Sequence, residues 1–310
     1  MIRVALIGLV FSVFLFLQPL HAVFFFSDGD PSKNTTAPGV VDGLNADDVW
    51  GLQGSFGSFL GTPIASQYFI TAKHIGGSIG QSITFGAGTA NEGSYVTVDF
   101  EDSPTTDLRI WKISGTFVQF AEMYTDSNEA GKELIVFGRG RQRGEEYLGP
   151  GGSEDLRGWE WGAADGVKRW GENVVAGYAN SGSLLGATFS SSGGSNEAML
   201  SVGDSGGAVF IQDDSTWKLA GINYAVSGSY YSNTGVNGSG VQAGLFDQTG
   251  IYSSTNNTGF ALSSSGPGLF YSTRISQEQT WIASVIPEPT VTGLVLLSGL
   301  ALLPRRPRRR

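Results

Sequence analysis

Between residues 45 and 286 the chain breaks into short apolar runs separated by turn residues. This punctuation limits the available folds more than any other feature. The runs Tyr68–Thr71, Ser94–Phe100, Leu108–Ile113, Glu133–Phe137, Gly207–Gln212 and Trp217–Tyr224 stand out. Several alternate apolar with polar residues or are rich in β-branched and aromatic side chains, as half-buried strands are. Glycine supplies 46 of 310 residues and charged residues only 15%, so good helix formers are scarce and turn formers abundant. The expected class is all-β. No repeat of about 30 residues is visible, which argues against a solenoid. The segment 226–268, mostly Ser, Gly, Asn and Thr, is expected to form long loops with at most a hairpin. One helix is expected at the end of the body, over Arg274–Ile286. Trp281, Ile282, Val285 and Ile286 share one face there, and Pro287 stops the helix.

The ends of the chain differ from its body. Arg3 is followed by an apolar run, Val4–Leu17, and then by Gln18-Pro19-Leu20-His21-Ala22. A basic start, an apolar middle too short to span a bilayer and a small residue at the cut make a secretory signal. Residues 1–22 are therefore expected to be removed by a signal peptidase after Ala22. Residues 23–44, polar and rich in turn formers from Ser27 on, are expected to be a flexible leading segment. At the other end, Pro287-Glu288-Pro289 precedes a mostly apolar stretch to Leu303, and five Arg lie in the last seven residues. Basic residues beside an apolar stretch stay on the cytoplasmic side of a membrane. The formal net charge is −9, with the basic residues weighted toward this tail. No cationic stripe marks a nucleic-acid partner. The chain has no Cys, which removes disulfides, thiolate metal sites and a Cys nucleophile.

The chemistry centres on Ser205 in Gly203-Asp204-Ser205-Gly206-Gly207. A serine hydroxyl needs a base to take its proton and donors to receive the oxyanion formed on the attacked carbonyl. Gly203 allows a backbone turn that aims its own N–H and that of Ser205 at one point. Gly206 and Gly207 leave room around the hydroxyl. The base has to be His74, because His21 lies in the expected signal. His74 ends the apolar run Tyr68–Ala72 and precedes Gly76-Gly77, which places it at a loop mouth. An acid must hold the imidazole in the right tautomer. Asp107, just ahead of Leu108–Ile113, is best placed, with Asp99 and Asp102 as competitors.

Three motifs in order resemble the trypsin-like serine protease family. Ile70-Thr71-Ala72-Lys73-His74 is similar to its histidine motif, Thr106–Lys112 to its aspartate motif, and Gly203–Gly207 matches its serine motif at every position. Weaker echoes are Val136–Gly140, Ala220–Ile222 and Tyr271–Ile275 followed by Trp281-Ile282, so the similarity runs from about 45 to 286. The resemblance implies two six-stranded antiparallel β-barrels, about 45–130 and 131–273, with the active site between them and a C-terminal helix at 274–286. It implies a Ser205–His74–Asp107 triad, an oxyanion hole made by the N–H groups of Gly203 and Ser205, a peptide or protein substrate, and neither metal nor organic cofactor. Met199, Tyr224 and Val226 fall at substrate-pocket positions. Met199 replaces the acidic pocket base of the trypsin type, so an apolar or small side chain is expected before the cut bond. The rival is a protein of the same fold without turnover, acting by binding. Residues 287–310 resemble a PEP-CTERM sorting tail, which implies an exosortase partner, transient membrane retention and export from a Gram-negative bacterium.

Departures from the protease pattern are Lys73 beside the histidine and Arg109 beside the aspartate. Many members are also cut to free an Ile-Val-Gly-Gly end that pairs with the Asp before the serine. No such sequence precedes His74, so a buried Asp204 would need another partner. Trp159, Trp161 and Trp170 are expected in the core rather than along the cleft.

Overall fold

The computed structural model describes residues 23–149, 155–231, 240–255, 259–263 and 265–287. The expected signal segment and the tail beyond Pro287 lie outside them. Among the described residues no helix is long and apolar enough to cross a membrane.

The first lobe is a closed antiparallel barrel. Its strands, in order around the barrel, are Gly54–Phe56, Phe59–Ala65, Tyr68–Ala72, Leu108–Ile113, Gly93–Asp102 and Ser82–Phe85. Alternation puts Phe56, Phe69, Ile83, Phe85, Trp111 and Ile113 in one buried cluster. The rings of Phe56 and Phe69 lie 5.2 Å apart, and Phe56 and Trp111 are equally close. Closing the sheet leaves no free edge and fixes its rim, where the strand Tyr68–Ala72 ends against Leu108.

The second lobe departs from a six-stranded closed barrel. Its main sheet has seven strands, in the order Arg169–Val174, Glu133–Gly138, Ala208–Asp213, Thr216–Val226, Leu269–Arg274, Leu184–Thr188 and Gly177–Ala179. It curls into a half-barrel over the fully buried Ile135, Val136, Phe137, Phe210, Leu219 and Ile222. A further six-stranded sheet is built from Arg141–Tyr147, Gly158–Ala164, Gly240–Leu245, Ser229–Tyr231, Tyr252–Thr255 and Gly259–Leu262. Much of the segment expected to be loop thus pairs into strands, since its β-branched and aromatic residues are spread among small polar ones. Trp159, Trp161 and Trp170 are buried, in agreement with a core role. Trp159 meets Phe26, Phe189 and Phe246 in an aromatic cluster, with the Arg143 guanidinium 3.7 Å from its ring centroid.

The leading segment is not a loose tether. Phe24 and Phe25 pair with Met199 and Ala198 as a short antiparallel bridge and are buried. Burial of each phenyl group contributes about 2–3 kcal/mol. Asn34 donates to the carbonyls of Val23 (2.8 Å) and Trp170 (2.7 Å), Arg169 to Pro31 (2.9 Å), and the Trp170 indole to Thr36 (3.0 Å). Composition alone read this stretch as flexible because its partners lie far away in the sequence.

The C-terminal helix spans Gln279–Val285, shorter than expected. Arg274 still belongs to a strand: its N–H bonds the Ser183 carbonyl, and that of Ile275 bonds Ala220. Those bonds exclude helical geometry at Arg274 and Ile275. Ile282 faces the core as its spacing indicates.

Candidate active site

His74 follows directly on the buried strand Tyr68–Ala72, in a single turn of 3-10 helix over Lys73–Ile75. Gly76 then turns the chain away with a φ of +73°, a conformation that favours glycine. Asp107 comes from the loop before the neighbouring strand. The backbone N–H of Lys73 donates to the Asp107 carbonyl at 2.9 Å, which locks the two segments together. The Asp107 carboxylate accepts the backbone N–H of His74 on Oδ1 (2.9 Å) and lies 2.5 Å from His74 Nδ1 through Oδ2. His74 Nε2 lies 2.8 Å from Ser205 Oγ. The three residues are thus joined across the two lobes. The His74 side chain is 41% exposed and Asp107 14%, so the imidazole opens to the cleft while the carboxylate sits behind it.

The other two aspartates are engaged elsewhere. Asp102 accepts Nε (2.5 Å) and Nη2 (2.9 Å) of Arg109 along one guanidinium edge, and this hydrogen bonding holds its carboxyl below the ordinary range against burial. Asp99 lines a separate groove with Phe100, Lys112 and Trp281. Arg109 also lies 4.1 Å from the centroid of Phe100, so this departure from the family pattern is accommodated at the barrel surface.

Ser205 is held by the turn from Ser201 to Gly207. Gly203 adopts φ +102° and Gly206 φ +78°. A Cβ on Gly207 would stand 2.0 Å from the Phe137 carbonyl oxygen, so the turn packs directly on the strand Glu133–Gly138. Within the turn the N–H groups of Asp204, Gly206 and Gly207 reach carbonyls of Ser201, Asn223 and Asp204. Among the described residues the N–H groups of Gly203 and Ser205 have no protein acceptor. They are the donors that the sequence marked for an oxyanion. Asn223, which the sequence did not single out, fixes the turn from below through the carbonyls of Phe137 (2.7 Å) and Asp204 (3.1 Å).

Asp204 is 1% exposed. Its carboxylate accepts the N–H of Gly140 (2.7 Å) and both the N–H (2.7 Å) and Oγ–H (3.0 Å) of Ser201. The backbone N–H of Val23 also donates to it. Burial nevertheless pushes its pKa up to about 6, because these donors carry no full charge. Val23 itself is fully buried and has a φ of +30°, an outlying conformation for a β-branched residue.

A cavity of about 300 Å³ opens beside the Ser205 hydroxyl and His74. Leu200, Val202, Ala225 and Val226 give it apolar walls, and Tyr224 edges onto the His74 ring at 6.0 Å between centroids. Tyr224 and Val226 both line it. Met199 does not line this cavity. It is fully buried, paired with Phe24, and its neighbour Leu200 forms the wall instead.

No family model matches the chain, and no curated protein does. Among solved structures it is similar to neuropsin, a serine protease expressed in the limbic system of mouse brain. The match has 15% identity and a TM-score of 0.48, and covers 77% of this chain and 96% of that one.

Proposed function

We propose that the chain is an exported serine endopeptidase working through Ser205, His74 and Asp107. The observation that carries this is the continuous contact from Asp107 through His74 to Ser205, beside a cavity and two N–H groups that have no protein acceptor among the described residues. His74 Nε2 takes the Ser205 proton as Oγ attacks a peptide carbonyl. Asp107 keeps the Nδ1 proton in place and stabilises the imidazolium that forms. The tetrahedral oxyanion rests on the N–H groups of Gly203 and Ser205. Collapse expels the amine, protonated by His74, and leaves an acyl group on Ser205. Water activated by the same imidazole releases the acid. No step requires a metal or organic cofactor.

The apolar cavity supports cleavage after small or medium apolar side chains. Asp204 is the one carboxylate among the residues that line it, and it is buried and bound to Gly140 and Ser201, so it offers no free countercharge to Lys or Arg.

Maturation follows from Val23. Cleavage after Ala22 would turn its amide into an α-ammonium beside the buried Asp204 carboxylate. It would also relieve the φ at Val23, because no preceding carbonyl would remain. This supplies the cationic partner that the missing Ile-Val-Gly-Gly end left open. Export and activation would be one cut, made by signal peptidase. The tail beyond Pro287 would hold the protein at the membrane until an exosortase removes it.

A serine-directed phosphonate tests the catalytic assignment. The mature protein should be labelled at Ser205 alone, and Ser205→Ala should abolish the label. Absence of label on folded, mature protein would favour a binding role.

A further inference from the structure

The Asp107 carboxylate has a weakness. Among the described residues both of its hydrogen-bond donors belong to His74, the residue it must orient. No third side chain among the described residues fixes it. Its placement therefore depends on the backbone of the loop 103–107, which links Gly93–Asp102 to Leu108–Ile113.

Two charged residues tie that loop down. Lys73, next to His74, directs Nζ to the carbonyl oxygens of Thr106 (2.8 Å) and Ser103 (3.0 Å). Glu278, 6% exposed and at the start of the C-terminal helix, accepts the Ser103 hydroxyl at 2.9 Å and the Thr105 hydroxyl at 3.1 Å. Ser103 Oγ in turn accepts the N–H groups of Thr106 (3.0 Å) and Thr105 (3.2 Å). The ammonium thus binds the carbonyls of the loop, and the carboxylate binds its hydroxyls. Each bond involves a charged partner and is stronger than its neutral counterpart. Neither charge reaches the Ser205 hydroxyl or the His74 ring by any hydrogen bond.

We infer that Lys73 and Glu278 are positioning residues for the Asp107–His74 pair. They hold the loop that carries Asp107, whose carboxylate has no donor outside His74 among the described residues. The clamp joins the residue beside the base to the C-terminal helix, which lies 175 residues further along the chain from Ser103. This inference rests on the protease reading above. A small misplacement at a reacting group can cost about 100-fold in rate, so a loop left free to shift should slow turnover without weakening substrate binding.

The test compares mature wild type, Lys73→Met, Lys73→Arg, Glu278→Gln and the Lys73→Met/Glu278→Gln double variant. Each is assayed for kcat and KM on a peptide anilide, for Tm, and for the proton NMR signal of His74 Nδ1. His74 is the sole histidine after residue 22, so that signal has one source. Lys73→Met should lower kcat about 10- to 100-fold with little change in KM, and should shift or broaden the Nδ1 proton. Lys73→Arg should recover most of the loss. Glu278→Gln, which keeps one acceptor oxygen, should cost about fivefold. The double variant should lose less than the product of the singles, because both act through one loop. If Lys73→Met does not fold, Lys73→Arg and Glu278→Gln still decide the matter through the Nδ1 signal. An unchanged kcat and Nδ1 proton with a lowered Tm would overturn the inference and leave a structural role. A wild type without turnover or label would defeat the protease reading alone, since the Nδ1 signal tests the clamp without catalysis.

Discussion

The contact between Val23 and Asp204 predicts a difference in stability between mature and blocked chains. The perturbation is acetylation of the Val23 amine in protein that begins at that residue, which restores the neutral N–H of an uncut chain. In the blocked form the folded Asp204 pKa is raised from 3.8 to about 6, with burial as the main cause. Between those values the unfolded chain releases the proton first. Stability is therefore fully present below about pH 4 and is lost as pH rises toward 6. The loss is about 3 kcal/mol, at 1.36 kcal/mol per pKa unit. With a free amine the α-ammonium opposes the desolvation and keeps the carboxylate ionised. The acid-side loss should then largely disappear. Stability should instead fall at alkaline pH, as the amine loses its proton above its unfolded value of about 8. Urea unfolding of both forms at mildly acidic, neutral and alkaline pH provides the assay. With a slope near 3 kcal/mol/M, the blocked form should have its neutral-pH midpoint lower by about 1 M. Superimposable pH profiles for the two forms would refute the ion pair and the maturation step built on it.

Two further outcomes follow. Arg274→Met should destabilise the fold by about 3–5 kcal/mol, because it strands the fully buried Glu129 carboxylate. Burial pushes Glu129 up, but Arg274 and Ser276 hold it below the ordinary range, so the damage should shrink in acid, as urea unfolding at low and neutral pH would show. On a panel of peptides differing only before the cut bond, Ala, Val or Leu should be preferred at least tenfold over Arg, and a preference for Arg would reject the apolar cavity as the specificity site.

Much of this site was legible in the sequence because its parts are local. The turn around Ser205 needs glycine at fixed places, and the strand ahead of His74 is marked by its apolar alternation. Asp107 is adjacent in space because neighbouring strands pair Ala72 with Leu108. What the sequence hid depends on distant contacts. Val23-Phe24-Phe25-Phe26 is an apolar run directly after the expected cut, a signal that it would be buried, yet the polar stretch after it dominated the composition. Met199 was placed by counting back from Ser205, but the bridge to Phe24 draws it into the core. Lys73 looked like a tolerated departure, and its carbonyl partners lie about 30 residues away. Glu278 falls inside the helix expected over Arg274–Ile286, and nothing local links it to the loop 103–107 that it binds. The curl of the second lobe depends on seven strands whose pairing order no local pattern encodes.

The relay itself is tested most directly by turnover in Ser205→Ala, His74→Ala and the double variant, each as mature folded protein. Groups that act as one unit lose their effect together. Each single change should cost about 10⁴-fold or more in kcat, and the double change should cost little beyond either single one. Independent, multiplying losses, or a single variant that keeps wild-type turnover, would contradict a shared proton path between the hydroxyl and the imidazole.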